Sequence, residues 1–332
     1  MKTDHNVLVS ILNWNTSEMT GECVESVMKM RVDPGVSLTI LVIDNGSAAP
    51  DWENLQRRLA RLNVELIRND TNRGFAGGHN VAIKLAHERQ MDFIWLVNSD
   101  SLLEANTLTE VLKVMAADPQ CGAVSPVVRI LENQEEIDFC GTYHDWENLT
   151  FVRAKTVAEG RQMESDRPMD MWLTGTVVLF RMAALRDIGE LNAHLFAYYE
   201  DDDIGIRLAR KGWRNRMAFE TSALHATPPA KQRPPHYFYL MHRNAFLFFV
   251  AHTPAAYRAR LRWRLMDKAM FTANRLRRKG LASSADACLL GALDGWRGQG
   301  GVPALDRRPP LLMQVARKLL LLKHARWLDK VA

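Results

Sequence analysis

The sequence predicts an α/β fold built on a largely parallel sheet with helices on its faces. Three observations carry that prediction. Apolar runs of strand length alternate with amphipathic segments of helix length over roughly the first 120 residues, the pattern of βαβ units. Three of those runs stop abruptly in polar clusters, Asn13/Asn15, Asp44/Asn45 and Asn98/Asp100. In a parallel sheet these carboxyl ends share one edge, where such sheets bind ligands. The composition, 47% apolar and 24% charged over 332 residues, belongs to a packed chain rather than a disordered one. It suffices for one large domain or two smaller ones.

The elements follow in order. Val7–Leu12 reads as a buried strand ending at Asn13-Trp14-Asn15, after which Thr16 or Ser17 caps a helix to about Met30. Leu38–Ile43 is a second strand, closing in Asp44-Asn45-Gly46-Ser47, and Asp51 opens a second helix through Leu55, Leu59 and Leu62. Val64–Ile67 is a third strand. Asn72-Arg73-Gly74-Phe75-Ala76-Gly77-Gly78-His79-Asn80 then leads into a helix to about Glu88. This stretch lacks the Lys-Ser/Thr of a P-loop and does not match GxGxxG after a strand. Its glycines either let backbone amides approach phosphate or sugar oxygens or simply make a flexible loop, and chemistry alone leaves both open.

Phe93-Ile94-Trp95-Leu96-Val97 suits a strand covered on both faces. It sets Asn98 and Asp100 at its carboxyl end. Asp100 there suits a hard divalent cation, Mg²⁺ or Mn²⁺, with a nucleotide diphosphate supplying further oxygens. A helix follows over 104–117.

Beyond residue 120 the pattern is more strand-like, over 122–130, 137–143, 149–153 and 172–180, with polar residues 154–170 reading as a mobile loop. Gly175 interrupts the last strand, as where something approaches the backbone closely. Tyr198-Tyr199-Glu200-Asp201-Asp202-Asp203 sets two aromatics, a natural sugar platform, before four consecutive acids at a helix start. A helix dipole favours acids there, but four exceed what capping requires. Their repulsion should raise some of their pKa values, as a general base needs. His225 follows a short strand around 215–219. It becomes a ligand only if the fold carries it back beside Asp100.

The net charge of +5 conceals an asymmetry: residues 251–332 hold 17 Lys and Arg against 5 Asp and Glu. A basic tail on a mildly acidic body faces something anionic. Residues 236–252 read as a helix packed on the preceding domain. Leu312, Val315, Leu319 and Leu322 share a face of a further helix, interrupted by Lys323 and Arg326. The tail either serves the anionic inner leaflet of a membrane or is a helical subdomain with a solvated basic surface. Four cysteines without CxxC spacing fit a reduced cytoplasm. Neither a signal-peptide layout nor an uninterrupted apolar run of spanning length is seen. Cytoplasmic residence, peripheral on the inner membrane through 251–332, is the expectation.

These motifs, in this order and spacing, resemble the inverting nucleotide-sugar glycosyltransferases of family 2, above all their rhamnosyltransferase-like branch. The resemblance rests on Val9–Asn15, Val42–Ser47, Asn72–Asn80, Asn98-Ser99-Asp100, Trp172-Leu173-Thr174-Gly175 and Glu200–Asp203 with Ile206-Arg207. His225, His242-Arg243-Asn244 and Leu293–Gly298 continue it; it is dense from residue 7 to about 250 and thins thereafter. It implies a GT-A fold over 1–250, with a nucleotide-sugar half over 1–120 and an acceptor half over 121–250, and a basic helical extension over 251–332.

It also implies roles. Asp44 would contact the nucleobase, with Asn13 and Asn15 in the same pocket. Asn72, Gly74, Gly78 and Asn80 would border the ribose, diphosphate and sugar. Asn98-Ser99-Asp100 stands where the family carries its metal-binding DxD, with Asn98 replacing the first acid, so Asp100 and His225 would hold the divalent metal. Asp201 would be the catalytic base, and Trp172, Thr174, Gly175, Tyr199 and Glu200 would receive the acceptor. Donors such as TDP-rhamnose or a UDP-sugar, and a glycan or polyprenyl-diphosphate-linked acceptor in bacterial surface polysaccharide synthesis, are the implied partners. The rival readings are a nucleotidyltransferase and a nucleic-acid-binding protein. The first usually opens with a glycine- and lysine/arginine-rich loop where this chain has Asn13-Trp14-Asn15-Thr16. The second finds no recognised motif, and no nucleic acid is expected.

Overall fold

The computed structural model describes residues 5–226 and 233–328. They divide into two compact units: the described parts of Met1–Asp145, Phe151–Ala193 and Glu200–Thr227, and those of Trp146–Thr150, His194–Tyr199 and Pro228–Ala332.

In the first unit β1 (His5–Asn13), β2 (Val36–Asp44), β3 (Glu65–Arg68) and β4 (Phe93–Asn98) alternate with α1 (Ser17–Met28), α2 (Ala49–Leu59) and α3 (Gly74–Glu88). The strands pair in parallel in the order β3-β2-β1-β4. They are apolar on both faces because helices cover both. Val7, Val9 and Ile11 join a core with Val24 of α1 and Leu55 of α2, while Leu8 and Leu96 join one with Ala82 and Ile83 of α3.

The chain continues through β5 (Ser101–Leu103), α4 (Thr107–Ala117), β6 (Cys121–Ile130), β7 (Asn133–Phe139), β8 (Thr142–Asp145) and β9 (Thr150–Arg153). After these come α5 (Val157–Asp166), β10 (Met171–Trp172), β11 (Val177–Arg181), α6 (Met182–Ile188), α7 (Glu200–Arg210) and β12 (Arg214–His225). Beyond β4 the large sheet is mixed, running β4-β11-β6-β12-β5 with β7 also on β6; only the β6–β12 pair there is parallel. A small sheet runs β10-β8-β9.

Three expectations are corrected here. Polar residues 154–170 are not a loop throughout: Val157–Asp166 is helical, and the Thr156 hydroxyl accepts from the Glu159 amide at 3.1 Å while Glu159 accepts from the Lys155 amide at 2.7 Å. The Thr156 side chain thus caps the helix, while Glu159 reaches back one residue beyond the cap to Lys155. The single strand expected over 172–180 is two, because Thr174 Oγ1 bonds Thr176 Oγ1 at 2.9 Å and turns the chain between β10 and β11. The short strand near 215–219 runs on to His225 across a register shift between Ala218 and Ser222.

The second unit contains α8 (Pro235–His252), α9 (Leu261–Arg278), α10 (Ala282–Arg297) and α11 (Leu311–Leu328). A boundary at 250 was the expectation, yet α8 falls within this unit, because Tyr239 and Leu240 bury against Ala287 and Leu290 of α10. Added Cβ atoms at Gly291 and Gly295 would lie 2.1 Å from the Tyr239 carbonyl oxygen and 2.5 Å from that of Arg243. The two helices therefore cross backbone to backbone, which only glycine permits. On α11, Leu311, Leu312 and Leu319 are exposed, while the Arg317 guanidinium donates to Asn274 of α9 at 2.7 Å. The side chains of Leu322, Lys323 and Arg326 lie outside the described residues. Among the described residues no helix is long and apolar enough to cross a membrane.

Candidate functional site

The site is built from the carboxyl ends of β1, β2 and β4. Parallel register sets Asn13 directly beside Asp44. The Asn13 amide nitrogen lies 2.9 Å from Asp44 Oδ1, 3.1 Å from Ser47 Oγ and 3.0 Å from Asp51 Oδ2, and its oxygen accepts from Thr20 Oγ1 at 2.7 Å. Asn13 is thus engaged within the protein and braces Asp44 from behind. Asp44 is fully buried, with Arg68 Nε at 3.3 Å; that guanidinium also donates to the Ser47 carbonyl at 3.0 Å and lies over Trp52. Asn15 has a left-handed backbone, and its oxygen accepts from the Ala48 amide at 2.9 Å, closing the β1 loop onto the β2 loop.

Asn45 ties down the glycine-rich stretch. Its nitrogen donates to Asn72 Oδ1 at 3.0 Å and to the Gly74 carbonyl at 3.1 Å, and its oxygen accepts from Asn69 and from the Arg73 amide. Asn72 Oδ1 in turn accepts from the Gly74 amide at 2.8 Å, and Gly74 has φ +73. Asn72 and Gly74 therefore form one braced turn at the start of α3. Gly78 serves packing: a Cβ there would meet the Leu12 side chain at 2.6 Å. Asn80 is not brought to this edge. Six positions beyond Gly74 carries a side chain about 240° around a helix, and the Asn80 amide is bonded both ways to the Leu191 backbone, at 2.9 and 3.1 Å.

β12 settles the question left open for His225. The strand pairs His225 with Ser101, the residue after Asp100, and the Ala226 amide donates to the Asp100 carbonyl at 3.0 Å. His225 Nε2 then stands 3.4 Å from Asp100 Oδ1, and Nδ1 stands 3.1 Å from Asp138 Oδ2 on β7. Burial lowers the imidazole pKa, but the two carboxylates outweigh it and raise it to about 9. Asp100 Oδ1 is buried with no hydrogen-bond donor. A divalent cation fits this pair, a carboxylate oxygen and an imidazole nitrogen whose other nitrogen is oriented by Asp138. Among the described residues no group of three such ligands occurs, so further oxygens must come from a substrate or water. Asn98 is half-buried at the end of β4, with its amide hydrogen on the Thr176 carbonyl at 2.8 Å.

The turn at Thr174–Thr176 joins this edge to α7. While Thr176 bonds Asn98, the Gly175 amide donates to Asp201 Oδ2 at 3.0 Å. Asp201 Oδ1 accepts from the Asp202 amide at 3.0 Å, and the carboxylate borders a cavity of about 10 Å³ lined by Phe75, Leu173 and Gly175. Burial, then the charge of Asp202, pushes Asp201 up to about 7 against those two amide hydrogen bonds. Burial likewise pushes Asp202 up to about 7, although Asp202 Oδ1 stands 2.8 Å from His144 Nε2. Glu200 is raised well above the usual carboxylate range by burial and its acidic neighbours, with one carboxylate oxygen unpartnered. Asp203 pairs with Arg207 at 2.8 Å.

Trp172 is not on an open face. It is buried, with its ring stacked on His144 and packed by Phe139 and Phe151, since β10 pairs with β8 in the small sheet. Tyr199 belongs to the second unit, where it packs on Phe248 and Phe249. Sequence reasoning missed Arg68, Asp138 and His144, and placed Asn45 at the edge without its bracing role. The parallel register that sets Arg68 opposite Asp44 was available in principle. Asp138 and His144 carry no local signal, because partners 87 and 58 residues away define them.

A family model described as "Glycosyltransferase like family 2" matches residues 5–246. Two curated relatives, both named N-acetylglucosaminyl-diphospho-decaprenol L-rhamnosyltransferase and from Mycobacterium tuberculosis strains CDC 1551 and H37Rv, are 24% identical over 268 residues, covering 74% of this chain and 86% of theirs. Among solved structures, the mannosyltransferase PcManGT of Pyrobaculum calidifontis in complex with GDP-Man and Mn²⁺ aligns with a TM-score of 0.56 at 17% identity, over 97% of this chain and 83% of that one. GalNAc-T7 with UDP, GalNAc and Mn²⁺ aligns with a TM-score of 0.59 at 13% identity, over 89% of this chain and 55% of that one.

Proposed function

The chain belongs to glycosyltransferase family 2, and on that premise we propose that it moves a sugar from a nucleoside-diphosphate sugar to a hydroxyl of a polyprenyl-diphosphate-linked glycan, inverting the anomeric centre. The enzyme class follows from the family, and the fold is GT-A. The donor, acceptor and residue roles are our reading. TDP-rhamnose or a UDP-sugar is the donor we propose; a rhamnosyl donor and a lipid-linked acceptor take support from the mycobacterial relatives, named as L-rhamnosyltransferases of N-acetylglucosaminyl-diphospho-decaprenol. The single observation that carries the reading is the return of His225 to Asp100 while Gly175 and Thr176 tie Asp201 to the same strand end.

On this reading Asp44, braced by Asn13 and paired with Arg68, anchors the nucleoside end, and the Asn72–Gly74 turn borders the diphosphate. Asp100 and His225 would hold a divalent cation, Mg²⁺ or Mn²⁺. A carboxylate beside a diphosphate is repelled by about 4 kcal/mol per charge pair at about 4 Å and an effective dielectric of about 20. When bound, a divalent cation there would reverse that sign and supply charge stabilisation for the leaving nucleotide. Asp201 takes the proton from the acceptor hydroxyl as its oxygen attacks the anomeric carbon opposite the diphosphate. The exposed apolar row on α11, with Leu311, Leu312 and Leu319, suits peripheral contact with the membrane that holds such an acceptor.

The test is a transfer assay with TDP-rhamnose and UDP-sugars, Mn²⁺ and a short prenyl-diphosphate-linked GlcNAc, with the product's anomeric configuration read by NMR. An inverted glycoside formed by wild type and not by Asp201→Asn is the expected result. A retained configuration, or no transfer from any nucleotide sugar, contradicts it.

A further inference from the structure

The helical unit contains a cavity of about 220 Å³ whose walls follow from helix periodicity. On α8, Phe238, Met241, His242, Ala245 and Phe249 recur at three- and four-residue spacing, and on α9 Leu265, Lys268, Thr272 and Arg275 do the same. The result is an aromatic chamber with two cations on one side. No acid lines it. Lys268 Nζ is held by the Asn148 and Leu149 carbonyls at 2.5 and 3.0 Å. The half-buried Arg275 guanidinium has no hydrogen bond or ion pair among the described residues. His242 also has no hydrogen-bond partner there, and burial with the fields of Arg275 and Lys268 holds its pKa down to about 4. The chamber is thus positively polarised, and Arg275 has no counter-ion among the described residues. Withdrawing cations from water without an anion is unfavourable, and aromatic walls favour an apolar chain.

We propose that this cavity binds the prenyl-diphosphate end of the lipid-linked acceptor, with phosphate oxygens on Arg275 and the first isoprene units against Phe238, Phe246 and Phe249. The inference rests on the lipid-linked acceptor proposed above. Its volume is below the about 300–1,000 Å³ that encloses a whole drug-sized ligand, which suits the head end of a long chain. Tyr199, another wall residue, is two positions before Asp201 in the chain.

The test is equilibrium binding of farnesyl diphosphate, farnesol and inorganic diphosphate to the full chain, alongside thermal melts and calorimetric nucleotide-sugar binding. Farnesyl diphosphate should bind at least about ten-fold tighter than either half alone. Arg275→Gln should weaken it about ten-fold, and Ala245→Trp, which fills the chamber, should abolish it, both without loss of nucleotide-sugar binding. If Ala245→Trp does not fold, Arg275→Gln decides alone. Inorganic diphosphate binding as tightly as farnesyl diphosphate, or farnesyl diphosphate binding unchanged in Arg275→Gln, overturns the proposal. Farnesyl diphosphate bound in this manner by a protein that transfers no sugar to a prenyl-linked acceptor would remove the functional reading and leave the cavity's assignment standing.

Discussion

Asp201 combines two properties that a base in an apolar setting needs. Its carboxylate is fixed by amide hydrogens from Gly175 and Asp202, and burial with the charge of Asp202 raises its pKa to about 7. Transfer should therefore fall as pH drops below about 7, since the base must be unprotonated; a kcat/KM profile checks this. The stability sign is opposite. Folding raises these carboxyl pKa values, so the cluster's contribution is full below the unfolded value near 4 and is lost as pH rises through about 7. Asp201→Asn should accordingly raise Tm at pH 8 and leave it nearly unchanged at pH 4, while transfer is lost at both. At the other end of the site, Arg68→Ala leaves buried Asp44 without its cation. Breaking such a pair costs about 3–5 kcal/mol when fully buried, and less here because Arg68 is partly exposed. A lowered Tm together with weakened nucleotide binding is the expected outcome.

Elements were legible where periodicity was clean. The run Phe93–Val97 is a strand because it is apolar on both faces, and Asn98 and Asp100 fall at its end as the sequence implied. α5 was not legible, because its residues carry no apolar stripe and its start depends on the Thr156 cap and on the bond from the Lys155 amide to Glu159. Thr156→Ala should cost about 1 kcal/mol, read by chemical denaturation. β12 was read short because Glu220 and Thr221 interrupt its apolar pattern at the register shift. α8 and α10 meet through Gly291 and Gly295, a contact that sequence spacing alone does not reveal. Gly291→Ala forces a Cβ against a backbone carbonyl, and a loss of about 1–3 kcal/mol is expected in the same measurement.

At the scale of the whole molecule, the site depends on strands distant in sequence ending at one edge. The order β3-β2-β1-β4 gathers Arg68, Asp44, Asn13 and Asn98, and β12 returns His225, 125 positions further along the chain, to Asp100. The places of Asn13, Asp44, Asp100 and Asp201 were legible because each lies at or just past a strand end or in the first turn of a helix, whereas the return of His225 was not, since β12 was read short. Asn80 and Trp172 were quoted for the same resemblance, but helix phase and sheet pairing turn them into braces and core. The central claim is that this edge binds a nucleotide sugar through a metal on Asp100 and His225. Calorimetry of UDP-sugars and TDP-rhamnose with and without Mn²⁺, on wild type and Asp100→Ala, tests it most directly. Mn²⁺-dependent binding of one donor, weakened at least about ten-fold in Asp100→Ala, is the expected result. Equal binding by both proteins with and without Mn²⁺ would contradict it.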